Sequence, residues 1–365
     1  MVSRAYREGL VTHKISTFEE FRAAISTYRL PRVLLAALEL DLCTAIGDRS
    51  WTLSALAKKL KVSERGLSIL CRSLASAGVL HKKGGVYRNS KLGATALNGN
   101  HRAYRGGYLN LIRSHWSDWI RLMESVRSGL PLDHEVPDSL DYRHQFTWAM
   151  HHRTLEIAPA ITAQLHLGRA QTLLDLGGGP GTYALAFLAK NPRLRATVCD
   201  REAALTVAKE IASTHKAGHR LSYVLLDFTK ESIPGAYDVI WYSNVLHIYS
   251  PDENQAIFRR VRAALKPGGR FILQDAFLRD HEGLYPTQAS LFAISMLLST
   301  EQGNTYTASE TAKWLKQAGF VSIKPVSIRK GTADWEDGIF EASTPGPRPR
   351  MIANQTGSSR SRTTR

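Results

Sequence analysis

The nine residues from Leu173 to Gly181, LLDLGGGPG, have the glycine spacing best suited to ligand binding in this chain. Gly177 and Gly179 have no Cβ and can adopt positive φ, so a ligand can lie directly against their backbone. The apolar residues before them predict a buried strand. The helix after them would point free N–H groups at a bound carboxylate. The spacing is G-x-G-x-G, because Thr182 stands where dinucleotide-binding enzymes have a third glycine.

The strand candidates that follow end in residues suited to a nucleoside. The segment LRATVCD ends at Asp200, whose carboxylate can accept hydrogen bonds from both ribose hydroxyls. The segment RLSYVLLDF ends at Asp227 and Phe228, an acceptor for an adenine amino group beside an aromatic ring. Open parallel sheets bind ligands at the C-terminal edge, so this series predicts one extended ligand there. Each aspartate alone is equally consistent with a solvated loop.

From Phe18 to Ala342 the chain resembles the S-adenosylmethionine-dependent O-methyltransferases of the plant and bacterial small-molecule type, which include caffeate- and hydroxyindole-methylating enzymes. The most specific match is NVLHIYSPDENQAIFRRVRAALKPGGRFILQDAFL, from Asn244 to Leu278. The resemblance implies an α/β protein with a Rossmann-like class I methyltransferase domain that binds S-adenosylmethionine. It also implies an N-terminal, all-helical winged-helix dimerisation domain. Ser243, at the same strand edge as the nucleoside residues, is a further and weaker candidate for a cofactor contact.

His247 corresponds to the general base of that family. A phenol with a pKa near ~10 attacks poorly until its proton is removed, and a histidine with a pKa of about 6.5 can accept that proton. No metal is required, because the methyl group leaves a positively charged sulfur. The resemblance places an orienting acid at Asp275 and puts Thr305 where the plant enzymes have a second glutamate. A histidine beside an apolar strand is also compatible with a structural role.

The resemblance and the composition of the C-terminal residues together divide the chain into four parts. Residues 1–107 form the winged-helix dimerisation domain, 108–167 a helical linker, 168–343 the S-adenosylmethionine-binding domain, and 344–365 a disordered basic tail. The stretch FTWAM in the linker lines the substrate pocket of the family. Trp148 or Met150 would then contact an aromatic acceptor, although both also fit an ordinary core. The remaining histidines, including His151 and His152, have no metal-ligand spacing and are interpreted as surface or pocket residues.

Composition favours a cytoplasmic protein of two domains. The chain has 365 residues, of which 43% are hydrophobic, enough for a sizeable core. Its three cysteines are odd in number and lie in apolar segments, which predicts reduced, buried thiols. The N-terminus has no signal-like apolar region, and the sequence has no run of 18 apolar residues, so neither secretion nor a membrane span is predicted.

Positive charge is concentrated in residues 1–110, which contain 18 Lys and Arg against seven Asp and Glu. Two helices at a tight turn, followed by a hairpin around Gly84 and Gly85, predict a winged helix, a module that often binds DNA. The resemblance implies a different use, an intertwined homodimer in which this module also helps to form the partner's substrate pocket. Contact with nucleic acid is therefore not expected. A basic surface also suits an acidic substrate or an acidic carrier domain.

The sequence predicts a homodimer that methylates a hydroxyl of a small aromatic or polyketide-like metabolite. Two alternatives remain. One is an enzyme on the same scaffold that methylates nitrogen or carbon, or that performs decarboxylation or hydroxylation. The other is a DNA-binding regulator that senses the cofactor. The intact segment LHIYSPDEN argues against a regulator, which has no need of a base at the methyl position.

Overall fold

The computed structural model describes residues 14–133, 140–279, 282–328 and 338–346. Its N-terminal part consists of short helices and a small sheet. The helices are α1 (Phe18–Ser26), α2 (Arg29–Glu39), α3 (Leu42–Ile46), α4 (Leu53–Leu60), α5 (Glu64–Ser76) and α6 (Lys91–Thr95). The strands are β1 (Trp51–Thr52), β2 (Leu80–Lys83) and β3 (Val86–Asn89).

The predicted winged-helix elements are α4, α5 and the β2–β3 hairpin. The Ser63 side chain caps α5 by accepting a hydrogen bond from the backbone N–H of Gly66. Gly84 and Gly85 have φ values of 56° and 79°, as a two-residue hairpin turn requires. Because β1 pairs antiparallel with β3, this part of the chain is helical with a small three-stranded sheet and is not helical throughout.

The run LPRVLLAALELDL, from Leu30 to Leu42, has apolar residues at helical spacing but is divided between two helices. Helix α2 ends at Glu39, and Asp41 adopts a left-handed φ of 47° before α3 begins. The break turns the chain so that Leu42 and Ile46 enter the same apolar cluster as Leu56 and Leu67. This packing explains why the run is so apolar, although it forms two helices and not one long one.

Helices also make up the segment between the two sheets. They are α7 (Gly106–Ser114), α8 (Trp116–Ile120), α9 (Leu122–Ser128), α10 (Leu140–Thr154) and α11 (Ile157–Thr162). Helix α10 packs against α7 on one side and against a helix of the C-terminal part on the other. It therefore connects the N-terminal part to the larger sheet.

The C-terminal part is built on a seven-stranded sheet with the order β11-β12-β8-β7-β4-β5-β6. Its strands are β4 (Thr172–Leu176), β5 (Arg195–Asp200), β6 (Leu221–Leu225), β7 (Tyr237–Ser243), β8 (Leu265–Asp275), β11 (Val321–Val326) and β12 (Gly338–Ser343). Strands β4 to β8 run parallel, whereas β12 is antiparallel to both its neighbours. The chain order reverses at β4, which lies between β5 and β7, and open α/β sheets bind ligands at such a point.

Helices cover both faces of this sheet, and a two-stranded parallel ribbon lies at its C-terminal edge. The helices are α12 (Thr182–Lys190), α13 (Glu202–Thr214), α14 (Pro251–Ala263), α15 (Thr287–Ser299) and α16 (Ala308–Gln317), and the ribbon pairs β9 (Phe277–Leu278) with β10 (Tyr306–Thr307). Separate apolar clusters fill the space on the two faces, one around Trp241 and Phe187 and the other around Tyr242 and Phe258.

The described residues depart from the sequence prediction at two element ends. Strand β6 stops at Leu225, three residues before Phe228, because the carbonyl of Asp227 already accepts from Lys230 and Glu231 in a turn. At the start of the predicted tail, Thr344 is buried and donates its backbone N–H to Gly269. Residues 347–365, the rest of that tail, lie outside the described residues. No described helix is both long and apolar enough to cross a membrane.

Candidate active site

The loop from Gly177 to Gly181 exposes bare backbone at the C-terminal edge of the sheet. Gly177, Gly179 and Gly181 have φ values of 67°, 51° and 68°. A Cβ on Gly177 would lie 2.9 Å from Val245 Cγ2, whereas a Cβ on Gly179 would meet nothing within 4 Å. Close packing against Val245 therefore leaves no room for a side chain at Gly177, whereas the space in front of Gly179 is open to a ligand.

Asp175 supports this loop from below. Its side chain is buried, its Oδ2 accepts a hydrogen bond of 3.2 Å from Ala184 N, and a Cβ on Gly178 would come within 2.5 Å of its Cγ. Burial raises the pKa of Asp175 to about 7. Sequence reasoning missed this residue, although a carboxyl group in the middle of the apolar run LLDLGGG was a signal for a buried loop contact.

Asp200, the last residue of β5, is tied to the same loop. Its Oδ2 accepts from Gly179 N at 2.8 Å, and its Oδ1 accepts from Arg201 N at 2.7 Å. Burial raises the pKa of Asp200, and these two backbone hydrogen bonds oppose that effect. Each carboxylate oxygen has a second lone pair, so the group can still accept from a pair of hydroxyls.

Asp227 and Phe228 lie in the turn after β6. Asp227 Oδ1 accepts from the hydroxyl and the backbone N–H of Thr229, and the hydroxyl contact is the main reason that its pKa is lowered. The Phe228 ring is buried and makes edge contacts with Tyr242 and Tyr249, at centroid distances of 6.4 and 6.2 Å. Phe228 Cζ also lies 3.5 Å from the position of a Cβ on Gly177, so the structure brings this ring against the glycine loop.

Ser243 ends β7, next to the strand that leads to Asp275. Its hydroxyl donates to Gln274 Oε1 at 3.3 Å and accepts from Asn244 Nδ2 at 2.9 Å. Asn244 has a left-handed φ of 57°, which ends the strand and directs the chain into a single 3₁₀ turn, Leu246–Ile248. That turn places His247 at the same edge of the sheet as the glycine loop.

His247 and Asp275 form a buried pair. His247 Nδ1 lies 2.8 Å from Asp275 Oδ1, and the two residues are 8% and 1% exposed. The same oxygen accepts from Ala276 N at 2.8 Å, which fixes the carboxylate at the end of β8. The shorter aspartate therefore reaches the imidazole directly. Phe292 of α15 packs edge-on against the ring, with centroids 4.7 Å apart.

Two buried oxygen atoms beside this pair have no hydrogen-bond partner within the described ranges. They are Asp275 Oδ2 and Thr305 Oγ1. Thr305 lies between Asn304, whose N–H donates to His247 O at 2.9 Å, and Tyr306, which pairs with Phe277 two residues beyond Asp275. Buried polar atoms are normally satisfied, so this corner suits a polar ligand group or an ordered water.

The two candidate acceptor contacts lie on α10. The Trp148 indole donates to Glu210 Oε2 on α13 at 3.3 Å and packs against the apolar cluster around Trp241. Met150 is half-buried, and its carbonyl accepts from the Thr154 hydroxyl. The structure thus places the Trp148 indole in the contact between α10 and α13.

His151, one residue after Met150, was not identified as a site residue from the sequence. Its Nδ1 lies 2.8 Å from the hydroxyl of Thr182, the first residue of α12. Burial lowers the pKa of His151 to about 4, with smaller contributions from the neighbouring His152 and from the positive charge of Arg105. No sequence signal shows which face of α10 meets the glycine loop, so this contact could be found only in the fold.

Two family models match the chain. The model of the O-methyltransferase domain matches residues 127–321, and the model of the O-methyltransferase dimerisation domain matches residues 23–99. Among relatives, the tetracenomycin polyketide synthesis 8-O-methyl transferase TcmO of Streptomyces glaucescens is 26% identical over 308 residues, 81% of this chain and 89% of its own length. Acetylserotonin O-methyltransferase of Bos taurus is 28% identical over 316 residues, 81% and 90% of the two chains.

Solved structures of similar proteins share the whole architecture. Human N-acetylserotonin methyltransferase in complex with S-adenosylmethionine superposes with a TM-score of 0.79 at 21% identity, covering 92% of this chain and 99% of its own. The mitomycin 7-O-methyltransferase MmcR superposes with a TM-score of 0.72 at 25% identity, covering 89% and 97%. These likenesses support the fold and leave the roles of individual residues to the geometry described above.

Proposed function

Because this chain belongs to the O-methyltransferase family, we propose that His247 is the general base that deprotonates a phenolic hydroxyl of a small aromatic or polyketide-like acceptor. The chain is a methyltransferase that uses S-adenosylmethionine. Relatives named for hydroxyl methylation in tetracenomycin, naphthoate and mitomycin chemistry support an acceptor with fused or substituted rings. The observation that carries the proposal is the buried contact between His247 and Asp275.

The residues at the sheet edge fit S-adenosylmethionine. When bound, this group supplies a methyl on a positively charged sulfur. In our proposal the backbone at Gly177 and Gly179 lies against it, and the free lone pairs of Asp200 accept from the ribose hydroxyls. Asp227 and Phe228 border the adenine. Ser243 is the weaker contact, since its hydroxyl already bonds Gln274 and Asn244.

Asp275 determines which imidazole nitrogen can act as the base. An ionised carboxylate only accepts hydrogen bonds, so His247 Nδ1 donates its proton to Asp275 Oδ1. The lone pair of the neutral ring is then on Nε2. The acceptor O–H proton would move to Nε2, and the oxyanion would take the methyl group as the bond from that carbon to sulfur breaks, which leaves the neutral thioether S-adenosylhomocysteine. The imidazolium would later release its proton to solvent. The buried carboxylate stabilises the ring while it is charged.

Phe292 supports a planar acceptor. Its ring packs edge-on against His247, so an aromatic surface lies beside the proposed base. Met150, half-buried on α10, is a second candidate contact for the acceptor and adapts readily to rings of different shape. Trp148 remains a weaker prediction, because its indole is engaged by Glu210. Alanine at Met150 should raise the acceptor KM more than alanine at Trp148.

The proposal is tested with His247→Ala and Asp275→Asn on a panel of phenols, naphthols, amines and carbon acids. We expect methyl ethers as products and a loss of about 10²- to 10⁴-fold in kcat for His247→Ala, since a positioned base contributes that range. Asp275→Asn should also lower kcat, because an amide can present N–H to Nδ1 and favour the tautomer with its proton on Nε2, which cannot act as the base there. The affinity for S-adenosylhomocysteine should stay unchanged in both variants.

His219→Ala serves as the control, because this exposed histidine hydrogen-bonds only the nearby Lys216 carbonyl among its described contacts. Methylation of nitrogen or carbon in place of oxygen would overturn the acceptor class. Wild-type turnover in His247→Ala would overturn the assignment of the base.

A further inference from the structure

A polar contact joins α10 to the end of the glycine loop. Thr182 follows Gly181 directly and begins α12, a helix of nine residues. Its hydroxyl lies 2.8 Å from His151 Nδ1, so the imidazole of α10 is held at the point where the loop turns into the helix. The rest of α10 is fixed by a second contact, since both Trp148 and His144 bond the Glu210 carboxylate of α13.

One cationic group, Arg105, lies near this contact. Its positive charge disfavours a charged His151 ring, whereas burial and the same arginine lower the pKa of His152 and favour its neutral form. The Arg105 side chain is 22% exposed, whereas its carboxylate partner, Glu156, is 85% exposed. Such an exposed partner offsets little of the buried positive potential. His152 Nδ1 is buried and makes no hydrogen bond within the described part of the chain. The N-terminal end of the α12 dipole adds to the same potential, although the carboxyl group of Asp175 already accepts a hydrogen bond from Ala184 N in this first turn.

We propose that His151 is a cofactor-binding residue whose Nε2–H donates to the methionine carboxylate of S-adenosylmethionine. In this proposal the Thr182 hydroxyl, 2.8 Å from Nδ1, is the donor to the neutral ring, which leaves the ring proton on Nε2. The inference rests on the proposed placement of the cofactor, with its ribose at Asp200 and its methyl group near His247. The amino-acid end then lies along the loop toward Thr182, where an anion would be favoured by the surrounding positive charge.

A ligand pair separates this role from a purely structural one. S-adenosylhomocysteine has the carboxylate, whereas 5′-methylthioadenosine keeps the nucleoside and the thioether but has no amino-acid group. Substitution of a residue that binds the carboxylate lowers the affinity for S-adenosylhomocysteine only. Substitution of a residue that merely holds α10 against the loop lowers the affinity for both ligands.

The variants His151→Asn and His151→Gln separate the contributions of the two ring nitrogens to binding. An asparagine amide reaches the place of Nδ1 and keeps a partner for Thr182, whereas a glutamine amide reaches the place of Nε2. By calorimetry, we expect His151→Asn to lower the affinity for S-adenosylhomocysteine by about 10- to 100-fold, the range for a hydrogen bond to a charged group. The affinity for 5′-methylthioadenosine should change less than about twofold. His151→Gln should retain most of the affinity for S-adenosylhomocysteine.

His144→Gln is the matched control, because His144 lies on the same helix and bonds Glu210 at the surface. It should leave both affinities unchanged. Equal weakening of the two ligands in His151→Asn, or no weakening of either, would overturn the inference. Because binding is measured without an acceptor, wild-type protein that binds S-adenosylhomocysteine but methylates no phenol would count against the proposed acceptor and base alone.

Discussion

His247 and His151 lie at the same edge of the sheet but have partners of different chemistry. His247 contacts a carboxylate, which in our proposal keeps the ring proton on Nδ1. His151 is held by a hydroxyl and lies near Arg105, and its pKa is lowered to about 4, first by burial. The first environment suits a group that must gain a proton. The second suits a neutral donor that stays neutral at physiological pH.

The sequence predicted one of these histidines and not the other, for a physical reason. His247 and Asp275 were predicted from the family-like segment Asn244–Leu278. Parallel pairing brings the ends of β7 and β8 together, and the turn after Asn244 then places the imidazole against Asp275. The contact of His151 with Thr182 depends instead on how α10 lies across α12. No periodicity in the sequence determines this, because α10 has polar residues on every face.

Asp175 gives a residue-scale prediction about pH. Its pKa is about 7 in the folded chain, against 3.8 for the free side chain, so the folded state binds the proton more tightly. Its stabilising effect is complete below pH ~4 and is lost as the pH rises through about 7. We expect wild-type stability to fall by roughly 3 kcal/mol between pH 5 and pH 8 from this group. Asp175→Asn, which still accepts from Ala184 N, should flatten that fall.

The measurement is the free energy of unfolding by urea at pH 5, 6, 7 and 8. Because the pKa of Asp200 is also raised, the free energy of unfolding of the variant should still fall with pH, but less steeply than that of wild type. Parallel pH profiles for wild type and Asp175→Asn would contradict the assignment of this slope to the carboxyl under the loop.

At the scale of elements, strands were easier to predict than the points where they end. The segments LLDL, ATVCD and DVIWYS all form parallel strands, because buried β-branched and apolar runs between turn residues favour a doubly wound sheet. Strand β6 was predicted too long, since the Asp227 turn uses carbonyl groups that an extended strand would have directed at a neighbour. The break at Asp41 depends on a left-handed backbone, which is uncommon for residues other than glycine even though aspartate adopts it more often than most.

The glycine loop gives a prediction at this scale. Gly177→Ala and Gly179→Ala both place a Cβ on a residue with positive φ, which costs about 1–2 kcal/mol in each. At Gly177 the Cβ also meets Val245 at 2.9 Å, whereas at Gly179 it projects into open space. Gly177→Ala should therefore be the less stable variant. Gly179→Ala should instead lose more affinity for S-adenosylhomocysteine than its modest destabilisation accounts for.

Thermal unfolding and calorimetric binding, measured on both variants, separate these effects. A Gly179→Ala variant that binds the ligand like wild type would show that the open space before Gly179 is not the cofactor site.

For the whole molecule, the distribution of charge and apolar surface indicates how the N-terminal part is used. The dimerisation-domain match covers residues 23–99 and supports a homodimer. Residues 49–100 contain ten Lys and Arg against one acidic residue, Glu64. Lys82, Lys83 and Arg88 of the hairpin are exposed, so a basic surface remains on the subunit. That nucleic acid does not bind there stays a prediction, which salt-dependent retardation of duplex DNA would contradict.

Helix α1 gives a prediction about the dimer contact. None of its residues is buried, and Phe18, Phe21 and Ile25 are 73%, 51% and 57% exposed. Their spacing puts them on one face, and an apolar face of this size is normally covered in the assembled protein. Glutamate at both Phe18 and Phe21 should therefore weaken the dimer. Sedimentation velocity should show wild type as a dimer and the double variant shifted toward monomer at micromolar concentration.

The matched control is Leu225→Glu, because Leu225 is 64% exposed at the end of β6 in the seven-stranded sheet, on a different part of the chain from α1. It should leave the dimer intact. If a subunit contributes to its partner's acceptor pocket, the double variant should also raise the acceptor KM while S-adenosylhomocysteine binds as in wild type, since the glycine loop, Asp200 and His151 all come from one chain. If the double variant still sediments as a dimer, the dimer contact does not include this face of α1. A dissociated variant with an unchanged acceptor KM would show that each subunit forms its pocket alone.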